Sequence, residues 1–217
     1  RQVHYSKLMT VLRSKHRLFT IDTPKVMGIL NCTPDSFYKE SRVNSESVLE
    51  IAAQMLEEGA DILDLGGQST RPGAQQIGET AEIDRVVPIT EMLRKSFPKA
   101  WLSIDTYYAS VAKAAVNAGA DMVNDISAGL DDPNMLSTVS KLDVPYIAMH
   151  KKGTPETMQD NPNYKNPSKE IIDFFIQHLK EIKSAGIKDC IIDPGFGFGK
   201  SAEHNFKIVK EMNSFNI

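Results

Sequence analysis

Near the end of the chain an acid, a proline and three spaced glycines stand together in Asp193-Pro194-Gly195-Phe196-Gly197-Phe198-Gly199-Lys200. The apolar run Cys190 to Ile192 before them reads as a strand that stops at Asp193, because Pro194 suits neither a helix interior nor a continuing central strand. Gly195, Gly197 and Gly199 allow positive φ and close approach of backbone to a ligand, and Lys200 adds a cation. A buried carboxylate beside such a loop suits a polar ring that carries an anion. The plain alternative is a strand-to-helix turn.

A second loop reads Gly66-Gly67-Gln68-Ser69-Thr70-Arg71-Pro72-Gly73. Its glycines permit tight backbone approach, Ser69 and Thr70 offer hydroxyl donors, and Arg71 presents a planar fork that matches phosphate oxygens, so it reads as a diphosphate loop. It fits neither the Walker phosphate-loop pattern nor the dinucleotide Gly-x-Gly-x-x-Gly fingerprint. Ahead of it, Asn31-Cys32-Thr33-Pro34-Asp35-Ser36-Phe37 holds a turn at Pro34-Asp35 and, in Asn31, a neutral oxygen suited to a hard cation such as Mg2+. Asn31-Cys32-Thr33 also matches a glycosylation sequon, which a strand end makes accidental.

The elements that carry these residues alternate. Val26 to Leu30 ends at Asn31, Ile62 to Leu65 carries Asp64, and Leu102 to Ile104 ends at Asp105. Met122 and Val123 end at Asn124 and Asp125, Tyr146 to Met149 at His150, and Ile191 to Ile192 at Asp193. Between them the spacings Val48, Ala52, Met55; Val111, Ala114, Ala115, Ala118; and Ile172, Phe175, Leu179, Ile182 predict helices, with a last one over Glu203 to Met212. Gly59, Gly119 and Gly186 stand where those helices would end. Polar residues at the carboxyl ends of parallel strands predict the catalytic face of an α/β (β/α)8 TIM barrel. A doubly wound open sheet is the alternative, since six units are countable and the barrel needs eight.

If the barrel is right, Asp105, Asn124 and Asp193 converge on one mouth from different strands. Two acids and an amide can read a nitrogen heterocycle, a carboxylate accepting from a ring N–H and an exocyclic amine together. Each alone could instead cap a helix. Met149 reads as pocket wall or core. His150 has no second ligand at metal spacing, which argues against zinc, and no Gly-x-Ser-x-Gly elbow supports a nucleophilic hydrolase.

Composition narrows the partners. The 217 residues carry a net charge of −3, against a general nucleic-acid or membrane-surface binder. Cys32 and Cys190 lie in or beside apolar runs and read as reduced thiols, so a cytoplasmic protein is expected. No apolar run reaches membrane-spanning length. One domain over residues 1–217 is expected, with the hydrophilic lead-in before Pro24 forming a short hairpin or added strand around Leu18 to Ile21 that plugs the barrel bottom.

Taken together the motifs resemble the dihydropteroate synthase family. Asn31 to Phe37 is similar to its Asn-x-Thr-Pro-Asp-Ser-Phe loop, and Gly66 to Gly73 to its Gly-Gly-Glu-Ser-Thr-Arg-Pro-Gly loop. Ser103 to Thr106 resembles its Asp-Thr strand end, and Asp193 to Lys200 its Asp-Pro-Gly-Phe-Gly-Phe-Gly-Lys. The resemblance implies a barrel, a homodimer as a rule, that condenses 6-hydroxymethyl-7,8-dihydropterin diphosphate with p-aminobenzoate and releases pyrophosphate. It implies that Asp105, Asn124 and Asp193 bind the pterin edge, with Met149 and Phe198 lining that pocket and Lys200 in the substrate loop. It further implies Asn31 on Mg2+, Thr70 and Arg71 over diphosphate and p-aminobenzoate, and Phe37 and Pro72 beside the p-aminobenzoate site.

There are departures. Gln68 stands where the family loop has glutamate, and Tyr38-Lys39-Glu40 where it commonly has Ser-Asp-Gly. The family's later Ser-Arg-Lys-Ser stretch and final Arg-x-His pair are not in these residues, so the expectation is a barrel lacking its last one or two βα units and the two cations they supply. Two other readings are a pterin-binding methyltransferase domain, disfavoured by the diphosphate-type loops, and a non-catalytic pterin-binding module.

Overall fold

The computed structural model of the chain describes residues 10–15, 17–32, 43–68, 76–153 and 162–217. The lead-in is a hairpin in which β1 (Thr10–Ser14) pairs antiparallel with β2 (Arg17–Ile21). Six parallel strands follow: β3 (Met27–Asn31), β4 (Ile62–Gly66), β5 (Trp101–Asp105), β6 (Met122–Asp125), β7 (Tyr146–Met149) and β8 (Cys190–Asp193). The helices are α1 (Val43–Glu57), α2 (Glu79–Ser96), α3 (Ala109–Ala118), α4 (Met135–Leu142), α5 (Pro167–Ser184) and α6 (Ala202–Lys210), with a 3-10 turn at Met212–Phe215.

The six strands lie side by side in chain order, β3-β4-β5-β6-β7-β8. A doubly wound sheet needs a reversal of strand order, and there is none, so the chain builds the wall of a (β/α) barrel. Six strands are two short of a closed barrel, which leaves β3 and β8 as the edges among the described residues. Ile29 on β3 is accordingly 63% exposed. Elsewhere the strands are covered on both faces; every residue of β4 is buried. Gly59, Gly119 and Gly186 all take positive φ just past their helices, as the repeat predicts.

One helix differs from expectation, and another, which no apolar spacing marked, is half polar on its buried side. In α5 the most buried seam is Ile171, Phe175, His178 and Ile182 rather than the stripe through Ile172 and Leu179. His178 tolerates burial because its Nε2 meets the Ala128 carbonyl and its Nδ1 lies 3.0 Å from a Glu181 carboxyl oxygen. Apolar periodicity does not score such a residue. In α2 the buried stripe is Glu82, Val86, Thr90 and Leu93, half of it polar, and Pro88 sits mid-helix on the exposed side. There the carbonyl that loses its partner faces water.

The hairpin does plug the barrel bottom. Leu12 is buried against Ile62, Trp101, Met122 and Ile147, inward residues near the starts of β4 to β7, and the Phe19 ring lies 4.9 Å from that of Trp101. Charge fixes it in place: Arg17 Nη1 donates to both Asp121 carboxyl oxygens at 2.7 Å, and Arg94 Nη2 donates to Asp121 Oδ2 at 2.6 Å. The same Oδ2 accepts from the Leu102 amide at 3.0 Å. Removing a buried acid between two guanidiniums leaves both uncompensated. Asp121→Ala is expected to cost roughly 2–4 kcal/mol, the lower part of the buried-pair range because the arginines are partly wetted, and equilibrium urea unfolding measures it.

Candidate active site

Alternation along the strands decides which side chains enter the barrel. Parallel register pairs Asn31 with Gly66, Gly66 with Asp105, and Asp105 with Asn124, so four strand ends finish level at the mouth. Met149 pairs with Asp193 on the next two strands. Asp125, one residue beyond Asn124, belongs to the other face. It is fully buried and accepts from the Ser127 amide and hydroxyl, the Gly129 amide and the Tyr146 hydroxyl, all at 2.7–2.8 Å. It ties β6 to β7 and has no acceptor capacity left for a ligand.

Among the described residues the mouth is short of positive charge. Burial holds the Asp105 carboxyl well above the ordinary carboxylate range, and the nearby acids Asp64, Glu82 and Asp125 push it further. Burial also raises Asp193, opposed by the Gly195 amide, which donates to its Oδ1 at 2.7 Å, and by Lys200. An apolar wall stands beside these acids, made of Tyr107, Ile126 and Met149 with Phe198 against them. Met149, which the sequence reads as pocket wall or core, and Phe198, which the resemblance assigns to the pocket, pack together with Tyr107 and Ile126, which nothing in spacing distinguishes from loop residues.

The glycines after β8 are used for packing as much as for approach to a ligand. Gly195 has φ +69° and a Cβ there would lie 2.1 Å from the His150 carbonyl oxygen; at Gly199, φ +67°, it would lie 2.2 Å from that of Lys152. The loop is laid directly on the backbone that follows β7. Lys200 completes that contact. Its ammonium is 2% exposed and faces His150 Nδ1 at 3.1 Å, the His150 carbonyl at 3.1 Å and the Phe198 carbonyl at 3.0 Å. Three donors meet three acceptors inside the protein. Burial lowers Lys200 to about 8 and His150 to about 3, so the imidazole is neutral and can accept.

At the base of the second loop, Gly67 is a packing glycine too, since a Cβ would lie 2.7 Å from Val86 and 2.8 Å from Glu82 on α2. Gln68 is buried and bonds the Tyr107 hydroxyl, with its Nε2 2.6 Å and its Oε1 3.0 Å from that oxygen. Glu82 is 1% exposed, and neither carboxyl oxygen has a hydrogen-bond partner within 3.5 Å, which leaves Thr106 a weak partner at best. Burial raises it from 4.5 to about 7, with Thr106 and Arg85 opposing. Hydrophobic patterning concealed Glu82; Asp64, which the sequence shows inside the apolar run of β4, is buried as well. Phe37, Thr70, Arg71 and Pro72 lie outside the described residues.

Asn31 is exposed at the rim. Among the described residues no group of three or more His, Cys, Asp or Glu could hold a metal. One neutral oxygen at the mouth fits a hard cation that takes its other ligands from water and an anionic substrate.

A parallel barrel whose strand ends present acids and an amide beside an apolar wall defines an enzyme class that grips a flat heterocycle rich in N–H donors. Comparison makes this specific. Residues 27–217 match the family described as pterin binding enzyme. The dihydropteroate synthase of Haemophilus influenzae is 44% identical over 94% of this chain and 74% of its own length. The Yersinia pestis dihydropteroate synthase, solved in a sulfonamide drug complex, superposes with TM-score 0.87 at 39% identity over 94% of this chain and 75% of that one. The Xanthomonas albilineans dihydropteroate synthase with 4-aminobenzoic acid gives 0.85 at 38%, over 95% and 74%. The chain belongs to the pterin-binding enzyme family, and its sequence is that of a dihydropteroate synthase.

The orphaned acid on α2 yields a prediction with a defined sign. The folded protein keeps a proton on Glu82 that the unfolded chain releases, so stability falls as pH rises from 4.5 to about 7 and the penalty is constant above that. Glu82→Gln is expected to leave stability near pH 4.5 almost unchanged and to raise it by about 2–3 kcal/mol at pH 8, read from denaturant midpoints across pH.

Proposed function

We propose that the mouth binds the ring of 6-hydroxymethyl-7,8-dihydropterin diphosphate through Asp105, Asn124 and Asp193 and joins its methylene carbon to the amine of p-aminobenzoate. The observation that carries the reading is the surplus of acceptors over donors at three level or adjoining strand ends. A pterin edge brings the N–H groups such a surplus lacks. Buried carboxyls left without cations also stabilise positive charge on the ligand, and a methylene losing diphosphate develops that charge. As the carbon–oxygen bond breaks, its electrons leave with pyrophosphate; the amine lone pair then forms the carbon–nitrogen bond and the amine gives up one proton. The wall of Tyr107, Ile126, Met149 and Phe198 keeps water from the cationic carbon.

Mg2+ would be held by Asn31 together with diphosphate oxygens, and when bound it supplies charge neutralisation on the leaving group. Thr70 and Arg71 are assigned to the diphosphate and the p-aminobenzoate, with Phe37 and Pro72 beside the aromatic acid. The 4-aminobenzoic acid in the Xanthomonas albilineans structure supports that second substrate. A homodimer is the assembly the resemblance implies. A cytoplasmic setting is supported by two free thiols, Cys32 and Cys190, both raised to about 12 by burial. No described helix is long and apolar enough to cross a membrane.

The test is pyrophosphate release with Mg2+, with and without p-aminobenzoate, using this chain, a version extended at its C-terminus, and Asp193→Asn in each. Release that depends on p-aminobenzoate, and that falls at least about 100-fold in the variant, is expected. Turnover indifferent to Asp193 would remove that residue from the pterin site, and tight binding without release by either length would favour the binding module.

A further inference from the structure

Below the mouth, two strands along the sheet from Asn124, lies an almost wholly buried acid. Asp64 is 4% exposed and stands two residues before Gly66 on the same face of β4, one layer under the row formed by Gly66, Asp105 and Asn124. Its Oδ2 accepts from Asn124 Nδ2 at 2.9 Å, and its Oδ1 has no hydrogen-bond partner. Among the described residues no cation faces it, and its register partner on β5, Ser103, joins Asn124 in favouring the ionised carboxylate against burial. A buried carboxyl kept without a cation is costly, and apolar residues fill the layer beneath it at no such cost.

What the acid accomplishes follows from the chemistry of the amide above it. A carboxamide has one end that only donates and one that only accepts, and rotating it by half a turn exchanges them. Turned over, Asn124 would set its Oδ1 lone pairs against those of the ionised Asp64 carboxylate. With Nδ2 facing down to Asp64, Oδ1 is the end offered to the mouth. We propose that Asp64 is a positioning residue that locks the Asn124 amide with its oxygen toward the ligand, and so makes the site select a heterocycle that presents an N–H, and reject one that presents a lone pair, at that corner.

The inference rests on the pterin reading for its ligand but not for its geometry. With the amide locked, all three strand-end groups accept, and a ring nitrogen carrying a lone pair leaves Asn124 Oδ1 unpaired in a desolvated site. Sites built to meet a hydrogen bond discriminate strongly against a partner lacking it. With the amide free to turn, Asn124 accommodates either ring, and affinity for the correct one falls because fewer molecules hold the competent orientation.

Asp64→Leu, which keeps the branched shape but removes both carboxyl oxygens, and Asp64→Asn, which keeps the size but can turn to donate or accept, are the informative variants. Calorimetric titration with 7,8-dihydropterin and with a fully aromatic pterin, whose ring nitrogens carry fewer N–H groups, gives the discrimination ratio for each protein. The ratio is expected to fall at least about tenfold in Asp64→Leu and to fall in Asp64→Asn as well, because an amide at position 64 can turn to pair with Asn124 in either orientation. A ratio unchanged in a folded Asp64→Leu, with only the melting temperature lowered, assigns Asp64 to stability and overturns the proposal. The side-chain amide resonances of Asn124, assigned by comparison with Asn124→Asp, carry the test without ligand. Slow hydrogen exchange in the native chain, lost in Asp64→Leu or, if that variant does not fold, in Asp64→Ser, supports the lock; fast exchange in the native chain overturns it. Failure of the native chain to bind either pterin refutes the functional reading and leaves this measurement to decide the geometry.

Discussion

Several carboxyl groups share the upper part of this barrel with few cations to balance them, and most of what is particular about the structure follows from that. Asp64, Glu82, Asp105 and Asp193 are all raised by burial, and Asp105 also feels the first two. Each such acid lowers stability relative to an apolar residue of its size, so the arrangement is maintained by what it does with a ligand in place. A ring bearing N–H groups, or a carbon gaining positive charge, supplies what the empty mouth lacks. In the proposed reaction, the same field that destabilises the free protein would stabilise positive charge on the ligand.

Such a mouth requires a rigid frame, and the frame is assembled from below. The antiparallel hairpin closes the barrel floor with Leu12 and Phe19, and Arg17 reaches past Trp101 to Asp121. Asp121 also takes Arg94 from α2 and the backbone of β5, so helix, hairpin and sheet meet at one carboxylate. Around the rim the backbone itself is the scaffold. Asp125 gathers the loop after β6, and Lys200 fastens the glycine loop to the end of β7 through carbonyl groups and a neutral imidazole.

Lys200 and the glycines show where reading by residue type reaches its limit. A lysine after three glycines suggests an exposed cation waiting for phosphate, yet its ammonium is enclosed by protein acceptors. Gly195, Gly67 and Gly199 suggest space for a ligand, yet a Cβ at each would collide with protein atoms already present. The residue types were informative about the need for small size and positive φ. Whether ligand or neighbouring backbone occupied the vacated volume depended on chain that is distant in sequence.

What the sequence by itself determined was local and periodic. Strand ends at Asn31, Asp105, Asn124 and Asp193, helix stops at Gly59, Gly119 and Gly186, and the hairpin near Leu18 to Ile21 all follow from alternation, glycine placement and short-range sterics, so they were legible. Burial by partner was not. His178, Glu82 and Asp64 look like surface residues or interruptions of an apolar run, because a polar residue's tolerance for the interior depends on a partner or a functional demand supplied elsewhere. Only the tertiary structure decided that the strands follow one another without reversal and bring Asp64 beneath Asn124. Hydrogen bonds between parallel strands set that register, and they join residues about sixty positions apart that no local propensity relates.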